Sequence, residues 1–86
     1  MNWPDAELNE IRSRGDLALY LQGLAQRLHD GELQSENLAT ADFVDAAGRW
    51  TKAMEGFFKN VVRQPVPEDP DWAMIAAIFR AAVVYE

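Results

Sequence analysis

The chain has no cysteine. A disulfide framework, a thiolate zinc site and a cysteine nucleophile are therefore excluded. Secreted domains of this size commonly depend on such staples, so their lack points to a reducing setting and predicts a cytoplasmic protein. Histidine occurs once, at His29, so a zinc site has neither a thiolate nor a second imidazole to draw on, and no metal or cofactor is expected. Positive charge is scarce: eight Lys and Arg stand against fourteen Asp and Glu, a net charge of −6. Nucleic-acid binding draws most of its affinity from Lys and Arg against phosphate. The eight bases are scattered between Arg12 and Arg80, so no nucleic acid and no anionic membrane is an expected partner. A bilayer span needs about 20 apolar residues, and the most apolar run, Trp72 to Val84, is too short. Met1 to Ile11 carries acidic residues and no continuous apolar core, so no signal peptide is predicted. Strand patterns are missing as well, Val61-Val62 being too short to count.

What remains is a globular composition, with 49% hydrophobic and 26% charged residues, in a length that suits one domain over residues 1–86. A chain this short buries only about 60–65% of its unfolded surface. The expected fold class is all-α, a single small domain of about four helices at 4–12, 14–30, 40–60 and 70–85. Pro4 can open the first, where a missing N–H costs nothing, with Leu8 and Ile11 inward. Ser13 and Asp16 read as a capping box for the second. Leu17, Tyr20, Leu21, Leu24 and Leu28 fall on one face of it, and Gly31 stands where a left-handed cap is expected. Asn37 or Thr40 can cap the third, whose stripe runs through Phe43, Ala46, Trp50, Met54 and Phe57. Asp45 with Arg49, and Glu55 with Lys59, are acid-then-base pairs at the spacing that brings helix side chains together. Pro65, Pro67 and Pro70 mark an extended connection. Asp69 as N-cap with Pro70 at the first helical position then opens the last helix.

That last helix carries one charge, Arg80, between Trp72 and Tyr85. A helix apolar all round must be covered on most sides. Trp72, Ile75, Ala76, Phe79 and Val83 share one face, which is expected to meet the third helix around Trp50, Met54 and Phe57. Met74, Ile78, Ala81 and Tyr85 lie nearly opposite. Either the first two helices cover them, making this helix the centre of the domain, or they form a surface for a partner or a second copy. The helix also ends at Glu86 with no cap of its own, so relief of its negative end must come from elsewhere.

No spacing selects a catalytic set. His29 belongs at a helix C-terminus, where a cation is favoured. Glu68, Asp69 and Asp71 lack the alternation of a calcium loop, and the five glycines form no phosphate-binding motif.

Several of these residues also form a pattern: Asp16-Leu17 with Tyr20-Leu21, then Glu36-Asn37, then Trp50, Met54, Gly56, Phe57, Phe58 and Asn60, then Pro67, and finally Trp72, Ala76, Ile78, Ala81, Ala82, Tyr85 and Glu86. The pattern resembles a family of short bacterial proteins known only as a domain of unknown function, of the 7660 type. The resemblance spans about Ile11 to Glu86 and is most specific from Trp50 onward. The chain departs from it at Ser35, where the family tends to have Trp, and at Phe57-Phe58, where Tyr is common. The resemblance implies a small helical bacterial cytoplasmic protein and no particular activity.

The expected function is that of a non-enzymatic protein-interaction module, one version being an immunity-like or antitoxin-like protein that neutralises a basic toxin. Its partner surface is placed at Met74, Ile78, Ala81 and Tyr85, with Glu32, Glu36, Asp42 and Asp45 orienting a basic partner. Two alternatives stand beside it. One is a small-molecule-binding or enzymatic domain with an aromatic pocket near Trp50, Phe58 and Trp72. The other is a structural homodimer.

Overall fold

The computed structural model describes residues 2–85. They form a short 3-10 turn, Ala6–Glu10, and three α-helices: α1 (Arg14–His29), α2 (Thr40–Phe57) and α3 (Trp72–Ala82). A single π turn, Phe58–Val62, follows α2 directly. There is no strand among the described residues, and the fold is all-α.

The N-terminal segment holds Leu8 and Ile11 inward as the sequence predicts, but as a five-residue 3-10 turn rather than a helix over 4–12. A segment this short gains too few hydrogen bonds to offset the cost of α-helix nucleation, and 3-10 geometry suits short pieces. Side chains tie it instead. Asp5 Oδ1 accepts from the Glu7 amide at 3.0 Å. Asn9 clasps Trp3, accepting from its amide at 2.7 Å and donating to its carbonyl at 3.0 Å. The clasp drives the Trp3 indole into the core, where it meets Phe57 and Phe58 at ring-centre distances of 6.3 and 5.6 Å.

Helix α1 starts as its sequence directs. Ser13 Oγ accepts from the Asp16 amide at 3.0 Å. Asp16 reaches back at 3.0 Å to the Arg12 amide, one residue before the expected one. The helix stops at Gly31, whose φ of 76° is the left-handed conformation that glycine adopts without a Cβ penalty.

Helix α2 differs from expectation at both ends. Ala39 occupies the N-cap position and makes no side-chain cap, Thr40 is already helical, and the Asn37 side chain is used elsewhere. At the other end the backbone widens into the π turn, which closes on Arg63 at φ 62°. Met54 and Phe58 are buried, and Val62, four residues on, packs against the same core. Lys59 falls in the widened turn and makes no ion pair with Glu55 among the described residues. Asp45 and Arg49 do pair, at 2.9 Å.

Helix α3 is capped by Asp71, not Asp69: Asp71 Oδ1 accepts from the Met74 amide at 2.8 Å. Pro70 therefore lies outside the helix. Both aspartates are chemically able to cap, and the one that reaches an otherwise orphaned amide sets the boundary. The helix ends at Ala82 rather than 85, and a tight turn follows in which Val84 and Tyr85 both donate to the Ala81 carbonyl. α3 packs against α1, α2 and the 3-10 turn, whereas α1 and α2 make little contact with each other. It is the element that the others share.

Candidate functional site

The loop between α1 and α2 performs two tasks. Its first is to terminate α3. Asn37 Nδ2 donates to the carbonyls of Ala82 and Tyr85 at 2.8 and 3.0 Å. The Glu36 amide donates to the Val83 carbonyl at 2.8 Å. The Ser35 hydroxyl is shared between the carbonyls of Asn37 and Val83, at 2.9 and 3.3 Å, and accepts from the Asn37 amide at 3.1 Å. The last carbonyls of a helix have no partner within it, and here a loop nearly fifty residues earlier in the chain supplies them. Arg49 adds a cation beside this end, its guanidinium 5.5 Å from the centre of the Tyr85 ring. Glu86 lies outside the described residues.

Its second task is to shape a groove of about 510 Å³ that includes Leu28, Leu33, Leu38 and Phe43 in its lining. Leu38 is 93% exposed. The Phe43 ring lies 6.2 Å from that of Phe79 on α3. There Phe79 and Trp72 are 37% and 39% exposed. Glu32, Glu36 and Asp42 are exposed along this segment. Glu32 lies 4.0 Å from Arg27 across solvent, and Asp45 is engaged with Arg49. Four acidic residues expected to orient a basic partner thus lie on the loop and on the first turns of α2, beside an apolar groove.

The face expected on α3 is arranged otherwise. Met74 is 5% exposed and belongs to the core. Ile78 packs against that core, and Val66, Pro67 and Pro70 of the proline-rich connection share a cleft with both residues. Ala81 is partly buried beside the 3-10 turn, and Tyr85 is partly buried beneath Arg49. The connection and the N-terminal segment cover the arc that was expected to be open. On the arc expected to be covered, Ala76 and Val83 are fully buried and Ile75 is partly buried, while Trp72 and Phe79 are partly open.

The expected aromatic pocket is also redistributed. Trp50, Phe58 and Trp72 line three different clefts. Phe58 is fully buried, at the meeting of Trp3 and Phe57. Trp50 instead joins Trp3, Phe57, Asp5 and Arg80 around a cleft of about 280 Å³ between the 3-10 turn, α2 and α3. Trp3 is the wall residue that periodicity misses, since it precedes every predicted helix; its size next to the Pro4-Asp5 turn signal is the only local clue.

Close to this cleft stands Tyr20, whose hydroxyl is buried without a hydrogen-bond partner. Burial raises its pKa above the usual tyrosine value; the carboxylates of Glu7 and Asp5 add to the rise, and Arg80 and Arg27 oppose it. No group of three metal-ligating side chains occurs among the described residues. His29 is exposed at the end of α1. No helix there is long and apolar enough to cross a membrane.

A family model matches residues 13–86. The chain belongs to the family of unknown function DUF7660. No curated protein and no solved structure matches it. The DUF7660 match starts at the cap of α1 and so leaves out Trp3, Leu8 and Ile11, three buried residues of the core. Within the match, Asn37 and the last turn of α3 meet in space although 45 residues separate Asn37 from Ala82.

Proposed function

We propose that this DUF7660 chain is a non-enzymatic protein-interaction module of a bacterial cytoplasm, and that it takes a basic partner on the groove between α1 and α2. The observation that supports the reading is the near-full exposure of Leu38 in an apolar groove shared with Phe43, on a segment that also carries the exposed carboxylates Glu32, Glu36 and Asp42. Contiguous exposed apolar surface with a polar rim is characteristic of interaction sites. Surplus carboxylates on that rim speed the encounter with a basic protein and disfavour acidic ones. An immunity-like or antitoxin-like protein that neutralises a basic toxin is the concrete version of this role.

The test is affinity capture from the native host with the wild-type chain and with Leu38→Glu as paired baits. A basic protein retained by the first and lost from the second, with the helical circular-dichroism spectrum unchanged, is the expected result. Identical captures from both baits would overturn the groove as the docking site. Sedimentation of the wild-type chain at micromolar concentration separates out the homodimer: a dimer that Leu38→Glu dissociates would make the partner a second copy instead.

A further inference from the structure

We infer that the cleft walled by Trp3, Trp50 and Phe57 binds a small organic anion with an aromatic or aliphatic body, whose charged group is held by Arg80. The cleft lies away from the loop between α1 and α2, and the inference does not depend on the docking proposal. At about 280 Å³ it suits a ligand of one ring or a short chain, close to the small end of ligand pockets, which run from about 300 Å³ upward. Its floor and sides are apolar, with Leu8, Ala77 and Ala81 between the rings. Trp50 and Phe57 stand 5.6 Å apart and tilted, and Trp3 stacks on Phe57 at 6.3 Å, so the aromatic wall is continuous.

Charge decides the class of ligand. Two charged side chains line the cleft, Asp5 and Arg80. Asp5 accepts from the Glu7 amide through Oδ1 and makes no ion pair with Arg80 among the described residues. Arg80 is partly buried and makes no ion pair or side-chain hydrogen bond among the described residues. A partly buried guanidinium with no bonded carboxylate keeps its donors open, and a carboxylate or sulfonate meets it with charge-assisted, two-pronged hydrogen bonds. An apolar body against the rings and an anionic head at the guanidinium satisfy both halves of the site.

The probe is phenylacetate, with neutral phenylacetamide as its control, titrated into the full chain and followed by the indole N–H signals in proton–nitrogen correlation spectra. Trp3 and Trp50 line the cleft and Trp72 does not, which supplies an internal reference. Phenylacetate is expected to shift the Trp3 and Trp50 signals saturably in the millimolar range and to leave Trp72 in place. The amide should bind about tenfold more weakly, the worth of one charge-assisted pair. Arg80→Gln should abolish that preference. Val84→Glu places a carboxylate at the 52% exposed rim residue and should abolish phenylacetate binding without disturbing the fold. Equal binding of acid and amide, movement of Trp72 rather than its two counterparts, or no saturable shift in the millimolar range would each overturn the assignment.

Discussion

Asn37 shows how much one side chain can hold when its partners are main-chain carbonyls that nothing else satisfies. Its amide bonds Ala82 and Tyr85 at once. Each such bond is worth about 1 kcal/mol net, and carbonyls left unsatisfied cost more where they are screened from water. Asn37→Ala is therefore expected to lower stability by about 1–3 kcal/mol in urea denaturation. Asn37→Asp should cost more than the alanine variant, because it turns a donor into an acceptor and sets a carboxylate against the negative end of the helix dipole. If the two variants unfold at the same urea concentration, the amide does not act as a cap. Tyr20 presents the opposite case, a buried hydroxyl with no partner. Removing it as Tyr20→Phe takes away an unmet polar group and is expected to leave stability at pH 7 equal or higher. The same substitution should alter the alkaline limb. Burial raises the pKa of this phenol above 10.0, so the folded state holds its proton where the unfolded state releases it. That contribution is complete below the unfolded value and is lost as pH rises through the folded one. The wild type should thus lose stability above about pH 10 more steeply than Tyr20→Phe, which melting curves taken at pH 8 to 11 can measure.

At the scale of elements, the boundaries are set by which of several competent groups finds a partner. Asp69 and Asp71 flank Pro70, and only the Asp71 carboxylate reaches an amide of α3. Asp71→Ala is expected to cost about 1 kcal/mol and Asp69→Ala a few tenths at most, read as shifts in melting temperature. Equal losses would mean that the dipole, not the cap, is at work. The π turn after α2 ends on Arg63 in the left-handed region, a conformation that costs an ordinary side chain about 1–2 kcal/mol. Arg63→Gly relieves that strain and gives back part of the gain to the entropy of the unfolded chain, for a net stabilisation of about 0.5 kcal/mol. These elements also show what can be read before folding. Ser13, Asp16 and Gly31 act on amides and dihedrals within a few residues of themselves, so their roles are legible locally. The stripe of α1 and the inward Leu8 and Ile11 follow from apolar placement alone. Asn37 was legible only as a possible cap for the helix next to it, because its true partners lie 45 and 48 residues away. For α3, periodicity places Met74 nearly opposite Trp72 and Phe79 but cannot say which arc a neighbour will cover. That was decided by Val66, Pro67 and the N-terminal segment, and it moved the open surface from Met74 and Tyr85 to Trp72 and Phe79.

The whole molecule is organised around α3, with α1, α2 and the 3-10 turn each docked on it and α1 and α2 barely meeting. Its extents of 34 × 27 × 18 Å describe a slab rather than a sphere. A slab has little material with which to enclose its central helix, and Trp72 and Phe79 of α3 remain partly exposed. It also makes the N-terminal segment indispensable on the face that it covers. The family match begins at residue 13, yet Trp3 contacts Phe57 and Phe58, and Leu8 and Ile11 share their cluster. Burial of side chains this large is worth about 1.5–3 kcal/mol each, so the three together approach the whole stability of a small domain, about 5–15 kcal/mol. A chain reduced to residues 13–86 should accordingly keep much of its helical signal while losing its cooperative melting transition. It should also bind a hydrophobic dye through the newly uncovered Phe57, Phe58 and Ala73. A cooperative transition within a few degrees of that of the full chain would show that the matched region folds alone and that the N-terminal turn is an ornament on its surface.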